Sequence, residues 1–117
     1  MIRSEQMLAV ETIDRYYSQY GEKFLWRALS YDDEYYVGEL KKELPPDDQF
    51  LSYEMICAAA RSITDDDVLY IAEDSEGKDH WRMYHLTYSS YSGTSPEYKE
   101  FSGRAEAMAF IKENAAK

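Results

Sequence analysis

An α+β fold, with N-terminal helices and a C-terminal helix packed on one face of a three-stranded antiparallel meander, is what the sequence predicts, on three observations. Apolar residues recur at helical spacing near the N-terminus, switch to a period of two after Asp65-Asp66-Asp67, and return to helical spacing after Ser102. The links between the period-two segments are short, which allows hairpins but no parallel crossover. A chain of 117 residues, 44% hydrophobic and 15% aromatic, supports a single ordered domain spanning residues 1–117.

Residues 5–20, EQMLAVETIDRYYSQY, place Val10, Ile13, Tyr16, Tyr17 and Tyr20 on one face of a helix, with Ser4 as N-cap and Gly21 as terminator. Residues 22–44 admit two readings. As helices, Phe24, Leu25, Ala28 and Leu29 form one short stripe and Tyr36, Val37, Leu40 and Leu44 another; as a hairpin, Phe24, Trp26 and Ala28 alternate against Tyr35 and Val37. The row from Tyr36 to Leu44 and the lysines of its last turn favour helices, although Gly38 costs about 1 kcal/mol relative to alanine. Pro45-Pro46 must end that helix. From about Leu51 to Arg61 the chain reads as a nearly wholly apolar central helix containing Cys57 and three alanines.

Strands are predicted at Val68–Glu73, His80–Ser89 and Glu97–Phe101, separated by turns at Ser75-Glu76-Gly77 and Ser92–Pro96. Ser102 then caps a helix whose stripe is Ala107, Phe110, Ile111 and Ala115. The first few residues and Ala115-Ala116-Lys117 are expected to be loose. No repeat or low-complexity segment interrupts this order.

Net charge is −10, unevenly placed. Between Tyr31 and Asp79 stand fifteen acids and only four bases (Lys41, Lys42, Arg61, Lys78), whereas the remainder is nearly neutral. Such a field repels nucleic acid and anionic membranes and speeds encounter with a basic partner; solubility alone is the plainer explanation. One cysteine excludes an internal disulfide, which suits a reducing compartment. Glu5 and Gln6 sit where a signal peptide would be apolar, and no run approaches the ~18 apolar residues of a membrane helix, so a cytoplasmic location is expected.

The stretch His80–Phe101 concentrates two histidines, a tryptophan, an arginine and four tyrosines. On a strand, His80, Arg82, Tyr84, Leu86 and Tyr88 take one face and Trp81, Met83, His85 and Thr87 the other, so the histidines cannot share a metal. Neither zinc-ligand spacing, nor a calcium loop, nor a phosphate-cradling glycine motif, nor a nucleophile elbow occurs, and neither cofactor nor metal is expected. His85 is the better histidine for chemistry, being on the face of Trp81 and Met83, although a hydrogen-bonded core histidine is the commoner case. The clusters Asp32-Asp33-Glu34, followed by Tyr35, and Asp65-Asp66-Asp67 lack alternating ligand spacing; they suit helix starts and turns on one reading and a surface for a basic protein on the other.

Ala60-Arg61, Asp66-Asp67-Val68-Leu69 and His85-Leu86-Thr87-Tyr88-Ser89 together resemble a pattern found in small uncharacterised bacterial proteins, over about a quarter of the chain. Tyr84 and Tyr88 depart from it, standing where those sequences usually carry valine and tryptophan. The resemblance implies a bacterial cytosolic α+β protein and draws attention to Asp66, Asp67, His85 and Thr87 as a cluster.

Three functions follow as expectations. The first is a non-enzymatic, immunity-type protein that binds or inhibits a basic partner through Asp32, Asp33, Glu34, Tyr35, Asp65 and Asp66. The second is a nucleic-acid mimic whose carboxylates imitate phosphates. The third is a small enzyme with Asp67, His85 and Thr87 around a pocket, assisted by Arg82 or Tyr70.

Overall fold

The helix α1 (Ser4–Tyr20) forms where the apolar period predicts it, in a computed structural model that describes residues 4–115. Ala9, Val10 and Ile13 are buried, and Tyr16 and Tyr20 pack against the same core. Tyr17 is instead exposed, with the Arg27 guanidinium 4.0 Å above its ring. Ser4 is already helical. Gly21, at φ +69°, turns the chain out of the helix through a conformation that side chains resist.

The expected three-stranded meander is overturned: the sheet has five strands in the order β1-β2-β3-β4-β5, every neighbouring pair antiparallel. Both additional strands come from segments read as helices. β1 (Trp26–Ala28) replaces the helix expected over Phe24–Leu29, and β2 (Met55–Ser62) replaces the central helix expected over Leu51–Arg61. Trp26 and Ala28 alternate as the hairpin reading has them, but their partners are Ser62 and Ala60 rather than residues 35–37. The remaining strands β3 (Asp67–Glu73), β4 (Asp79–His85) and β5 (Tyr98–Phe101) follow the predicted segments, except that β4 stops four residues short of Ser89.

The sheet is covered on both faces, which corrects the expected packing of all helices on one. Beneath α1 and α3 (Arg104–Ala115) lie Phe24, Trp26, Leu69, Ile71, Trp81, Met83 and Phe101. Against the other face, α2 (Tyr35–Glu43) brings Leu40, and the chain after it brings Leu44 and Phe50, to meet Ala58, Val68, Tyr70, Tyr84 and Leu86. β3 therefore alternates between two cores and is buried from Val68 to Ala72, as a doubly covered strand must be. A bulge in β2 between Ala58 and Ala60 breaks the alternation: Ala58 belongs to the α2 core, while Ala59 and Ala60 both belong to the α1–α3 core. Cys57 is partly buried against that same core.

α2 ends at Glu43, ahead of Pro45-Pro46 as predicted. At the last helix the Ser102 hydroxyl and N–H both donate to the Glu106 carboxylate, at 3.0 and 3.4 Å, instead of capping a free helix N–H. Ala107 and Ile111 are buried, and the helix continues through Ala115, expected to be loose. Residues 1–3, Ala116 and Lys117 lie outside the described residues, as does the side chain of Ala115.

Candidate binding site

One end of the sheet gathers the chemistry. There β2 gives way to a turn at residues 63–66, β3 begins and β4 ends. Ser62, buried, holds the turn by accepting the N–H groups of Thr64 (3.2 Å) and Asp65 (3.1 Å) on its hydroxyl. The Leu86 N–H then donates to the Asp66 carbonyl at 2.9 Å. The segments carrying the Ala-Arg, Asp-Asp-Val-Leu and His-Leu-Thr pattern thus meet at this end.

Asp67 and His85 are cross-strand partners, and Asp67 Oδ1 lies 2.9 Å from His85 Nδ1. His85 shares the face of Trp81 and Met83 but sits at the strand end, and its side chain is 53% exposed. The Asp67 hydrogen bond, opposed by slight burial and reinforced by the fields of Asp67, Asp66 and Asp65, holds its pKa above the ordinary histidine value. Protonated His85 therefore favours the fold at pH below the unfolded-state value, and the contribution fades as pH rises through the raised one. Asp67→Asn is expected to return the His85 ring titration towards the ordinary range, as read by NMR of the ring; an unchanged midpoint would show that Asp67 does not set it.

Thr87 is not part of an Asp67–His85 cluster. Its N–H (2.7 Å) and its hydroxyl (2.8 Å) donate to Oε1 of Glu43, and the Tyr88 N–H donates to Glu43 Oε2 at 2.9 Å. Glu43, in the last turn of α2, is 1% exposed. It fixes Tyr88 at φ +59°, the one positive φ among the described non-glycine residues. The other expected assistants are engaged as well. Arg82 lies between the rings of Phe50 (4.8 Å) and Tyr98 (4.4 Å) and bonds Glu100 and the Tyr84 hydroxyl. Tyr70 donates its buried hydroxyl to the Tyr36 carbonyl at 2.6 Å.

The held Tyr88 helps line a cavity of about 150 Å³, with Tyr36, Arg61 and the Asp65-Asp66-Asp67 turn also in its lining. Asp65 and Asp66 are exposed. A shallower cleft of about 290 Å³ on the α3 side has Asp67, His85, Lys99 and Phe110 in its lining.

The first acidic cluster lies elsewhere. Asp32, Asp33 and Glu34 line a separate cavity of about 230 Å³ beside Gln6, Tyr31 and the start of β2. Asp33 accepts the Tyr36 N–H at 3.2 Å at the start of α2, and Asp32 accepts the Ser30 hydroxyl. Tyr35, 63% exposed, packs edge-on against Tyr36 at 4.9 Å. Much of the acidic segment is likewise committed locally: Asp48 caps a 3-10 turn, Asp74 holds the β3–β4 turn and His80, and Glu39 pairs with Lys42.

His80 bonds Asp74 at 2.9 Å and stacks on Tyr53 at 4.5 Å, on the face opposite His85. Among the described residues no group of three or more His, Cys, Asp or Glu is placed to hold a metal, and no helix is long and apolar enough to cross a membrane. The layered antiparallel sheet defines an α+β class and no more: no family model matches the chain, and curated proteins and solved structures give no match either.

Glu39 and Glu43 are the site residues that sequence reasoning missed. A signal existed. Like charges four apart on a helix repel, a carboxylate in the last turn opposes the helix dipole, and Glu43 stands three residues from Leu40, on the apolar face.

Proposed function

We propose that the protein is a non-enzymatic binding protein of the immunity or inhibitor type, which captures a basic partner at the Asp65-Asp66-Asp67 turn. The observation that carries this reading is the cavity lined by that turn together with Tyr36 and Tyr88. Carboxylates draw a cationic partner in, and tyrosines supply contact area and π-faces at small entropy cost. Tyr91, also exposed, follows on the same segment as Tyr88.

A nucleic-acid mimic is less well supported, because it needs a long band of free carboxylates. Here the two acidic clusters line different cavities, and Asp33, Asp48, Asp67 and Asp74 each serve a local turn, cap or histidine. An enzyme built on Asp67, His85 and Thr87 lacks its third member, since Thr87 bonds Glu43.

The test uses an arginine-rich model peptide and a neutral peptide of equal length, titrated at low and high salt. Wild type is expected to bind only the basic peptide and to lose affinity as salt rises. The paired change Asp65→Asn and Asp66→Asn is expected to weaken binding about tenfold, roughly 1.4 kcal/mol. Equal binding by wild type and the double variant at low salt would remove this turn as the site.

A further inference from the structure

We infer that Glu39 and Glu43 share one proton and with it form a pH-sensitive latch that holds residues 86–91 against the end of α2. The segment is anchored at three points. Leu86 is buried in the α2 core, Thr87 and Tyr88 give their N–H groups and the Thr87 hydroxyl to Glu43, and the Tyr91 N–H donates to the Lys42 carbonyl at 2.9 Å. Two of the three anchors are therefore on the last turn of α2.

Glu39 sits one helical turn before Glu43, 8% exposed, with its carboxyl group in hydrogen-bonding reach of the Glu43 carboxyl. Its Oε1 takes the Lys42 ammonium at 2.9 Å. Its Oε2 is buried, and no donor reaches it among the described residues. Two buried carboxylates in contact repel strongly, and one proton between them removes the repulsion while giving Glu39 Oε2 the donor it lacks. A buried acceptor left without a donor, beside a second charge, is the costly alternative.

The surroundings favour retention of that proton. Among the described residues Lys42 is the cation that acts on the pair, and it lies on the helix itself. Tyr70 from β3 and Tyr88 from the held segment face the pair as phenols, and burial raises the pKa of both; Tyr35, at the start of α2, acts on Lys42. Burial first and the Glu39 hydrogen bond second raise Glu43, while the three donors on the segment pull the other way and are outweighed. Glu39 is lowered, by its bond to Glu43 before all else. The pair thus gives up its first proton easily and its last one late.

Opening the segment exposes Glu43 to water and weakens its hold on the proton, so the closed form binds the proton more tightly than the open form. By linkage, raising the pH through the upper titration of the pair favours opening, and lowering it favours closure. Because Tyr88 and Tyr91 ride on this segment, the latch sets whether both rings stay in place. The inference does not depend on any partner.

Hydrogen exchange of the Thr87, Tyr88 and Tyr91 amides in the full chain tests it, from about pH 5 to about pH 9, corrected for intrinsic rates and referred to Ile71 in β3. In wild type the opening constant of these three amides is expected to rise by up to about tenfold per pH unit between the open-form titration of the pair and its upper, closed-form titration, and to level off above the latter, as one-proton linkage requires, while Ile71 stays flat. Glu39→Gln supplies an amide donor to Glu43 without a charge, and its opening constant is expected to be independent of pH. A flat wild-type profile, or an equal slope in Glu39→Gln, overturns the latch. Should Glu39→Gln not fold, carbon NMR of the wild-type glutamate carboxyl groups decides: one of the pair must stay protonated above the ordinary carboxylate range, and ordinary titration of both overturns the proposal.

Discussion

Trp81→Ala is expected to cost about 4 kcal/mol, the usual loss for emptying a fully buried aromatic site. Trp81 is 1% exposed at the centre of β4, with Ile71 opposite it on β3 and Phe101 on β5. It belongs to the core that α1 closes with Ala9 and Ile13 and α3 closes with Ala107, Met108 and Ile111. Domains of this size have total stabilities of about 5–15 kcal/mol, and the variant should melt about 15 °C lower, at roughly 4 °C per kcal/mol. Urea unfolding followed by far-UV circular dichroism provides the measurement. Met55→Ala, at a site 38% exposed on β2, should shift the midpoint little. If the two variants lose similar amounts, Trp81 does not anchor the sheet.

The half of the fold around Trp81 was legible because its strands are short runs rich in β-branched and aromatic residues, bounded by turn residues. Gly77, at φ +82°, occupies the β3–β4 turn that the sequence marks with Ser75-Glu76-Gly77. The half that misled was β2. Its alanines carry the highest helix propensity of any residue, and a strand covered on both faces shows no alternation to contradict that reading. Alanine at Ala59 and Ala60 is fixed by tertiary packing: both are fully buried beneath α1 and α3, where larger side chains would push the helices off the sheet. The three residues of β1 were too few for periodicity to decide, and only their pairing with Ser62, Arg61 and Ala60 makes them a strand.

The site was legible in part for a different reason. The bond between Asp67 and His85 follows from hairpin register, which a short turn fixes locally. The Glu43 contact with Thr87 and Tyr88 spans more than forty residues and depends on α2 crossing the sheet face opposite α1. Nothing in the local sequence sets that crossing. The acidic segment misled in the opposite direction. Its charge excess reads as one surface, whereas burial and hydrogen bonding divide it into caps, a turn, a buried pair and exposed carboxylates spread over Asp32, Glu34, Asp47, Glu54, Asp65, Asp66 and Glu76.

Glu43→Ala is expected to destabilise the protein by about 3 kcal/mol. Each hydrogen bond contributes about 1 kcal/mol net, and leaving its buried donor unpaired costs more; three converge on this carboxyl group, and relief of Glu39 returns part of that sum. The Thr87 and Tyr88 amides then have no acceptor at their former positions. Tyr88 keeps its left-handed backbone only while something holds it, since that conformation costs an aromatic residue about 1–2 kcal/mol. Residues 87–91 should therefore detach, and Tyr36 and Tyr88 should no longer wall one cavity. Glu43→Gln retains an acceptor for Thr87 and offers its amide to Glu39, so its loss should be smaller, about 1 kcal/mol. Thermal unfolding ranks the variants, and exchange at Tyr88 and Tyr91 locates the change. Alanine and glutamine variants of equal stability would mean that the carboxylate fills space without organising the segment. A large loss in Glu43→Ala confined to residues 87–91, with Ile71 still protected, would instead show that Glu43 governs this segment separately from the sheet beneath it.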